Sequence, residues 1–220
     1  MKRRLVAAAA GGAAILIAAA AAPDGAERGA FAAAFAPALL ALIVPFGLPV
    51  EREWKADLVL APATGAAAAL ALAGFLWKSP GPGAAAGLGL LFAAWTVLLT
   101  GLFRAGSRRG AGVGHLAASG LGLLLCSTHL LADPLVSAIA ERPGPRRALI
   151  AFVLNANPSL LGSAAFWDRD LLKSSYGYAR SEIGSFHGYT YAGWGWVALI
   201  YVGLGVALWA AGRKKETEAS

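Results

Sequence analysis

Long, almost charge-free apolar segments dominate this chain of 220 residues. Six stand out: Leu5–Ala22, Ala30–Val50, Leu58–Trp77, Ala84–Phe103, Val113–Ala132 and Tyr191–Ala211. As helix each covers about 27 to 32 Å, the thickness of a bilayer's hydrocarbon core. A soluble domain of this length has no use for six such stretches. The sequence therefore predicts an all-α polytopic membrane protein, a single integral membrane domain over 1–220, with spans near 5–22, 30–50, 58–77, 84–103, 113–132 and 191–211.

Composition narrows the chemistry. Only 14% of residues are charged, against about 25% in soluble domains. The net charge of +7 comes from short clusters at segment ends, which marks topology rather than nucleic-acid binding. Cys126 is the single cysteine, so no disulfide forms within the chain, and His115, His129 and His187 are too scattered for a metal cluster. No Walker A loop or nucleotide-binding glycine fingerprint is present. The expectation is no metal and no cofactor in this chain. The many glycines lie in apolar runs and read as close helix packing.

Basic residues beside spans mark the cytoplasmic side. The start, the turn at Glu51–Asp57, the turn at Arg104–Gly112 and the tail together hold eleven Lys and Arg, whereas Pro23–Gly29 and Lys78–Gly83 hold two. This bias predicts an integral protein of the cytoplasmic (inner) membrane with both termini inside. A basic start, an apolar run and small residues before Pro23 also describe a cleavable signal peptide, and the topology downstream is the same either way.

Residues 133–190 break the pattern. They hold an apolar stretch, Ala148–Trp167, interrupted by Asn155, Asn157 and Pro158. Proline removes a helix hydrogen bond and pushes the preceding residue out of helical geometry. Such a break at membrane depth is tolerated only where protein or water satisfies the backbone. The expectation is a re-entrant, outer helical element between helices five and six, turning near Asn155–Pro158 and climbing out to Trp167. A seventh full span is the rival, and it spoils the charge bias. Beyond it, Asp168 and Asp170 flank Arg169 and Lys173 sits three residues after Asp170, so local ion pairs are expected on a short helix, and the nearby Tyr and Trp residues fit an interfacial belt or a gate.

Few polar groups fall inside spans. Thr64 and Thr96 are expected to bond helix carbonyls, and His115 to pack. Cys126, His129 and Asp133 fall at i, i+3 and i+7, on one face of a helix. A base beside a thiol lowers its pKa and makes a nucleophile, so this trio is a candidate reactive cluster. A small buried Cys with an interfacial His is the plainer reading.

The order of parts resembles the membrane subunits of type-2 ABC transporters. Glu51–Asp57, "EREWKAD", occupies the place of that family's coupling helix, and 133–190 the place of its outer re-entrant helices. The resemblance implies a permease that hydrolyses nothing itself and dimerises with itself or a sister subunit. A separate ATPase would engage Glu51, Arg52, Glu53, Trp54 and Lys55. Asn155, Asn157, Pro158, Trp167, Asp168, Arg169 and Asp170 would build the outer gate. Two other classes compete: a non-catalytic scaffold in a membrane complex, and a transpeptidase like the exosortase-type enzymes using Cys126 with His129 or His187.

Overall fold

The computed structural model describes residues 27–47, 54–75, 82–167, 170, 172, 183 and 189–213. The expected first span, Glu51, Arg52, Glu53, Asp168, Arg169 and His187 lie outside the described residues, as do the side chains of Trp54, Lys55 and Trp167.

The described residues are helical, and none is in a strand. The elements are α1 (Glu27–Gly47), α2 (Trp54–Phe75), α3 (Pro82–Ser107), α4 (Ala111–His115), a π-helical turn (Leu116–Gly120), α5 (Leu121–Cys126), α6 (Thr128–Ala138), α7 (Pro143–Ala156), α8 (Pro158–Trp167) and α9 (Trp194–Arg213). Two of them, α3 and α9, are each long and apolar enough to cross a membrane. Two more candidates arise if bent pairs count as single spans: α4–α5 with α6, and α7 with α8. Within α1 and α2 the apolar stretches Ala32–Gly47 and Val59–Leu72 are shorter. The described residues thus form a helical bundle with two to four candidate membrane spans, which points to membrane association.

The centre is α3. Of its apolar window 67% is buried, against 17% for α9, so α3 is the hub and α9 a peripheral stave. Trp95, Phe92, Leu91, Leu99 and Phe103 of α3 are fully enclosed. Glycine makes the seams tight. A Cβ at Gly101 would stand 2.2 Å from the Gly205 carbonyl oxygen of α9, and one at Gly65 of α2 would stand 2.3 Å from that of Phe92. Backbone meets backbone here, and dispersion at this range is what associates helices in lipid.

Several polar side chains of the bundle donate to helix carbonyls, which apolar surroundings favour. Thr64 Oγ1 donates to Leu60 O at 2.7 Å. The single hydroxyl proton of Thr96 is shared between Ala61 O across the α2 seam at 2.7 Å and Ala93 O at 2.8 Å. Trp95 Nε1 donates to Pro37 O of α1 at 3.0 Å. His115 packs between Phe46 and Phe103, with ring centroids at 4.8 and 5.0 Å.

Chain direction follows from these contacts. Phe46 meets His115, Gly106 abuts Val113, Gly212 abuts Arg104, and Asp57 pairs with Arg104. One end of the bundle therefore gathers the end of α1, the start of α2, the α3–α4 turn and the end of α9. The turn itself needs Gly110, whose φ of +130° an L side chain rarely adopts.

Candidate functional site

The candidate site is built where two helices break. The first break is at Ser127. The sequence places Cys126, His129 and Asp133 on one continuous helical face; the structure corrects this, because α5 ends at Cys126 and α6 leaves at 55°. Ser127 (φ −104°, ψ 5°) keeps the backbone satisfied across the corner. Its N–H reaches Leu123 O at 2.9 Å, and its carbonyl accepts from Leu130 N at 3.0 Å. Thr128 Oγ1 donates to Leu125 O at 2.9 Å.

The second break is at Asn157, where α7 and α8 meet at 80°. The sequence signal is plain: Pro158 takes the first helical position, where its missing N–H costs nothing. Asn157 Oδ1 accepts from Ser159 N at 3.0 Å and Leu160 N at 3.1 Å, satisfying two of the orphan donors that open α8. An 80° corner is neither a straight span nor a tight hairpin.

The two breaks face each other. Asn157 is fully buried, and its amide Nδ2 donates to Cys126 O at 2.8 Å and lies 3.1 Å from His129 Nδ1. Thr128 Oγ1 stands further off, at 3.4 Å. One side chain thus caps α8 with its oxygen and bridges α5 and α6 with its nitrogen. From α9, the Tyr201 hydroxyl reaches Ala156 O at 3.3 Å. The carbonyls that the corners would otherwise orphan are answered by side chains.

Cys126 and His129 both border this junction, whereas Asp133 turns elsewhere: its Oδ1 accepts Ile183 N at 3.1 Å. Cys126 is buried, and the His129 nitrogen facing the junction is engaged by Asn157. That is an arrangement for holding helices together rather than for presenting a thiol to substrate. Among the described residues no group of three or more His, Cys, Asp or Glu could hold a metal.

The two asparagines of the gate expectation separate in role. Asn155 is partly exposed, donates to Ala151 O at 2.7 Å and accepts Ala192 N at 2.7 Å, so it pins the entry to α9. Asp170 belongs to the same outer layer. It accepts the Tyr189 hydroxyl at 2.5 Å, the Tyr191 hydroxyl at 3.1 Å and Leu172 N at 3.0 Å. Burial, and then the adjoining carboxylate, push both phenols well above their usual range. The last turn of α7 and the end of α8 both lie near the start of α9: Asn155 of α7 accepts from Ala192 N, and the Phe166 ring of α8 meets Trp194 at a tilt with centroids 5.4 Å apart.

At the opposite end sits a feature that sequence reasoning missed. Asp57, which the sequence places at the end of the turn Glu51–Asp57, is 1% exposed within the first turn of α2. Arg104 Nε donates to its Oδ2 at 2.6 Å, and Nη2 makes a second contact with the same oxygen. Trp54 and Lys55 belong to that same first turn. No protein-family model, curated protein or solved structure matches the chain significantly.

Proposed function

We propose that the chain is the membrane-spanning, non-hydrolysing subunit of a transporter, of the ABC exporter kind, driven by a separate ATPase and working as a homo- or heterodimer. It lies in the cytoplasmic membrane with both termini inside. Residues 5–22, α1, α2, α3, α4 through α6, and α9 make the six crossings. The pair α7–α8 enters and leaves by the outer leaflet.

The observation that carries this reading is the meeting of two interrupted helices at Asn157. Broken helices inside an apolar bundle are tolerated where protein satisfies them, and they are the usual moving and binding parts of membrane transporters. Two further facts support it. The described turn at Arg104–Gly112, which holds Arg104, Arg108 and Arg109, lies at the end where α9 finishes, the side that the positive-inside bias makes cytoplasmic, although Arg142, Arg146 and Arg147 around the start of α7 lie outside in this reading. The last turn of α7 and the end of α8 both lie by the start of α9, which suits a re-entrant pair. In this reading Glu51–Lys55 is the handle on which the ATPase pushes, and the Asp57–Arg104 pair fastens that handle to α3.

A photo-crosslinker at Trp54 tests the proposal in native membranes. The expected adduct is a Walker A ATPase whose nucleotide turnover falls when Trp54→Ala replaces the parent. Adducts only with proteins lacking nucleotide turnover would favour the scaffold reading and contradict this one.

A further inference from the structure

We propose that His129 is a proton-binding site and that the Asn157 junction is a proton-sensitive latch between α6 and α8. The argument concerns the junction alone and does not depend on an ATPase partner. It begins with the orientation of one amide. Asn157 Oδ1 accepts two backbone N–H groups, from Ser159 at 3.0 Å and Leu160 at 3.1 Å. This fixes the oxygen toward α8 and turns the NH2 toward Cys126 O at 2.8 Å and His129 Nδ1 at 3.1 Å. His129 Nδ1 must therefore accept, so the ring is neutral with its proton on Nε2.

A second proton removes that arrangement. The imidazolium donates from both nitrogens, so Nδ1–H would point at the Asn157 NH2, donor against donor. Turning the amide over would offer Oδ1 to His129, but it would uncap α8 and take the donor from Cys126 O. Each way out breaks either the cap of α8 or its tie to α6, in an interior where water cannot replace what is lost.

The surroundings determine where the new charge is answered. Asp133 lies one turn along α6 from His129, and its Oδ1 holds Ile183 N at 3.1 Å. From α5 the neighbouring titratable group is Cys126, and from α9 it is Tyr201, whose hydroxyl is on Ala156 O. The sequence of α8 holds no titratable residue, and those of α7, Arg146 and Arg147, lie in its first turn, at the far end from Asn157. The new charge is thus answered within α6, by Asp133, the carboxylate that also tethers the outer segment at Ile183, and nothing on α8 compensates for the lost junction.

The test measures the distance between spin labels at Leu130→Cys of α6 and Ala165→Cys of α8, both exposed positions, in full-length protein in nanodiscs. Cys126→Ser removes the native thiol but keeps the backbone acceptor. From roughly pH 8 to roughly pH 5 the longer-distance population rises about tenfold. His129→Gln, whose amide oxygen accepts at every pH, holds the short distance throughout. Asn157→Leu, close to the same shape but without polar atoms, offers His129 no partner in either protonation state and shows the long distance already at roughly pH 8. An unchanged distribution in the parent would overturn the latch, and so would a shift of equal size in His129→Gln.

Discussion

α3 and α9 run side by side without a break, while the α5–α6 and α7–α8 pairs each turn a corner inside the same bundle. The unbroken pair is joined through glycine, with the Gly101 and Gly205 backbones in contact. The broken pairs are joined through one side chain, Asn157. Close backbone packing has a single good geometry and resists motion. A hydrogen-bonded junction can exchange partners. One half of the molecule is a fixed frame and the other carries the joint.

Substitutions that blur this division test it. Gly205→Leu has the largest expected effect. Its Cβ would stand 2.7 Å from Val97 O, backbone that cannot yield, and the frame should lose about 3 kcal/mol of stability or more in reversible unfolding from micelles. Asp57→Ala strands the Arg104 guanidinium, which is 12% exposed. A loss of about 2 kcal/mol is expected, below the cost for a wholly buried pair, and the swap Asp57→Arg with Arg104→Asp should recover part of it. Asn157→Ala should cost about 1 to 2 kcal/mol, because caps and membrane hydrogen bonds are individually modest. Its signature is faster hydrogen exchange confined to the start of α8, with α3 and α9 unmoved.

The smallest effect is a pH dependence in the outer layer. The raised phenols of Tyr189 and Tyr191 keep their protons in the folded state after the unfolded chain has released them. Stability from this source is therefore present below about pH 10 and declines as pH rises beyond it. Tyr189→Phe combined with Tyr191→Phe should flatten that decline in an alkaline unfolding series.

The two breaks differed in how far the sequence disclosed them. The corner at Asn157 was legible because Pro158 cannot continue a helix from the preceding turn and Asn is a good cap. The corner at Ser127 was not. "LLLCSTHLL" contains no proline or glycine, and the bend depends on an acceptor, Cys126 O, taken by a residue 31 positions away. For the same reason Cys126, His129 and Asp133 look like one face in sequence and serve two places in the fold. Asp57 was hidden because Arg104 stands 47 residues off. Thr96 and Thr64, whose acceptors are helix carbonyls, were readable from the rule that lipid leaves no polar group unanswered. The glycines were readable as packing, though not which seams they would close.

Sidedness tests the central claim most directly, since α7–α8 enters and leaves by one leaflet in this account. Single cysteines in a Cys126→Ser background, at Gly112, Gly144 and Gly193, report it through an impermeant maleimide added to intact cells and to inverted membranes. All three positions are exposed. Gly144 and Gly193 should label from the outside and Gly112 only from the inside. Labelling of Gly144 and Gly193 from opposite sides would show that α7–α8 crosses the membrane, and it would contradict the re-entrant joint on which the account rests.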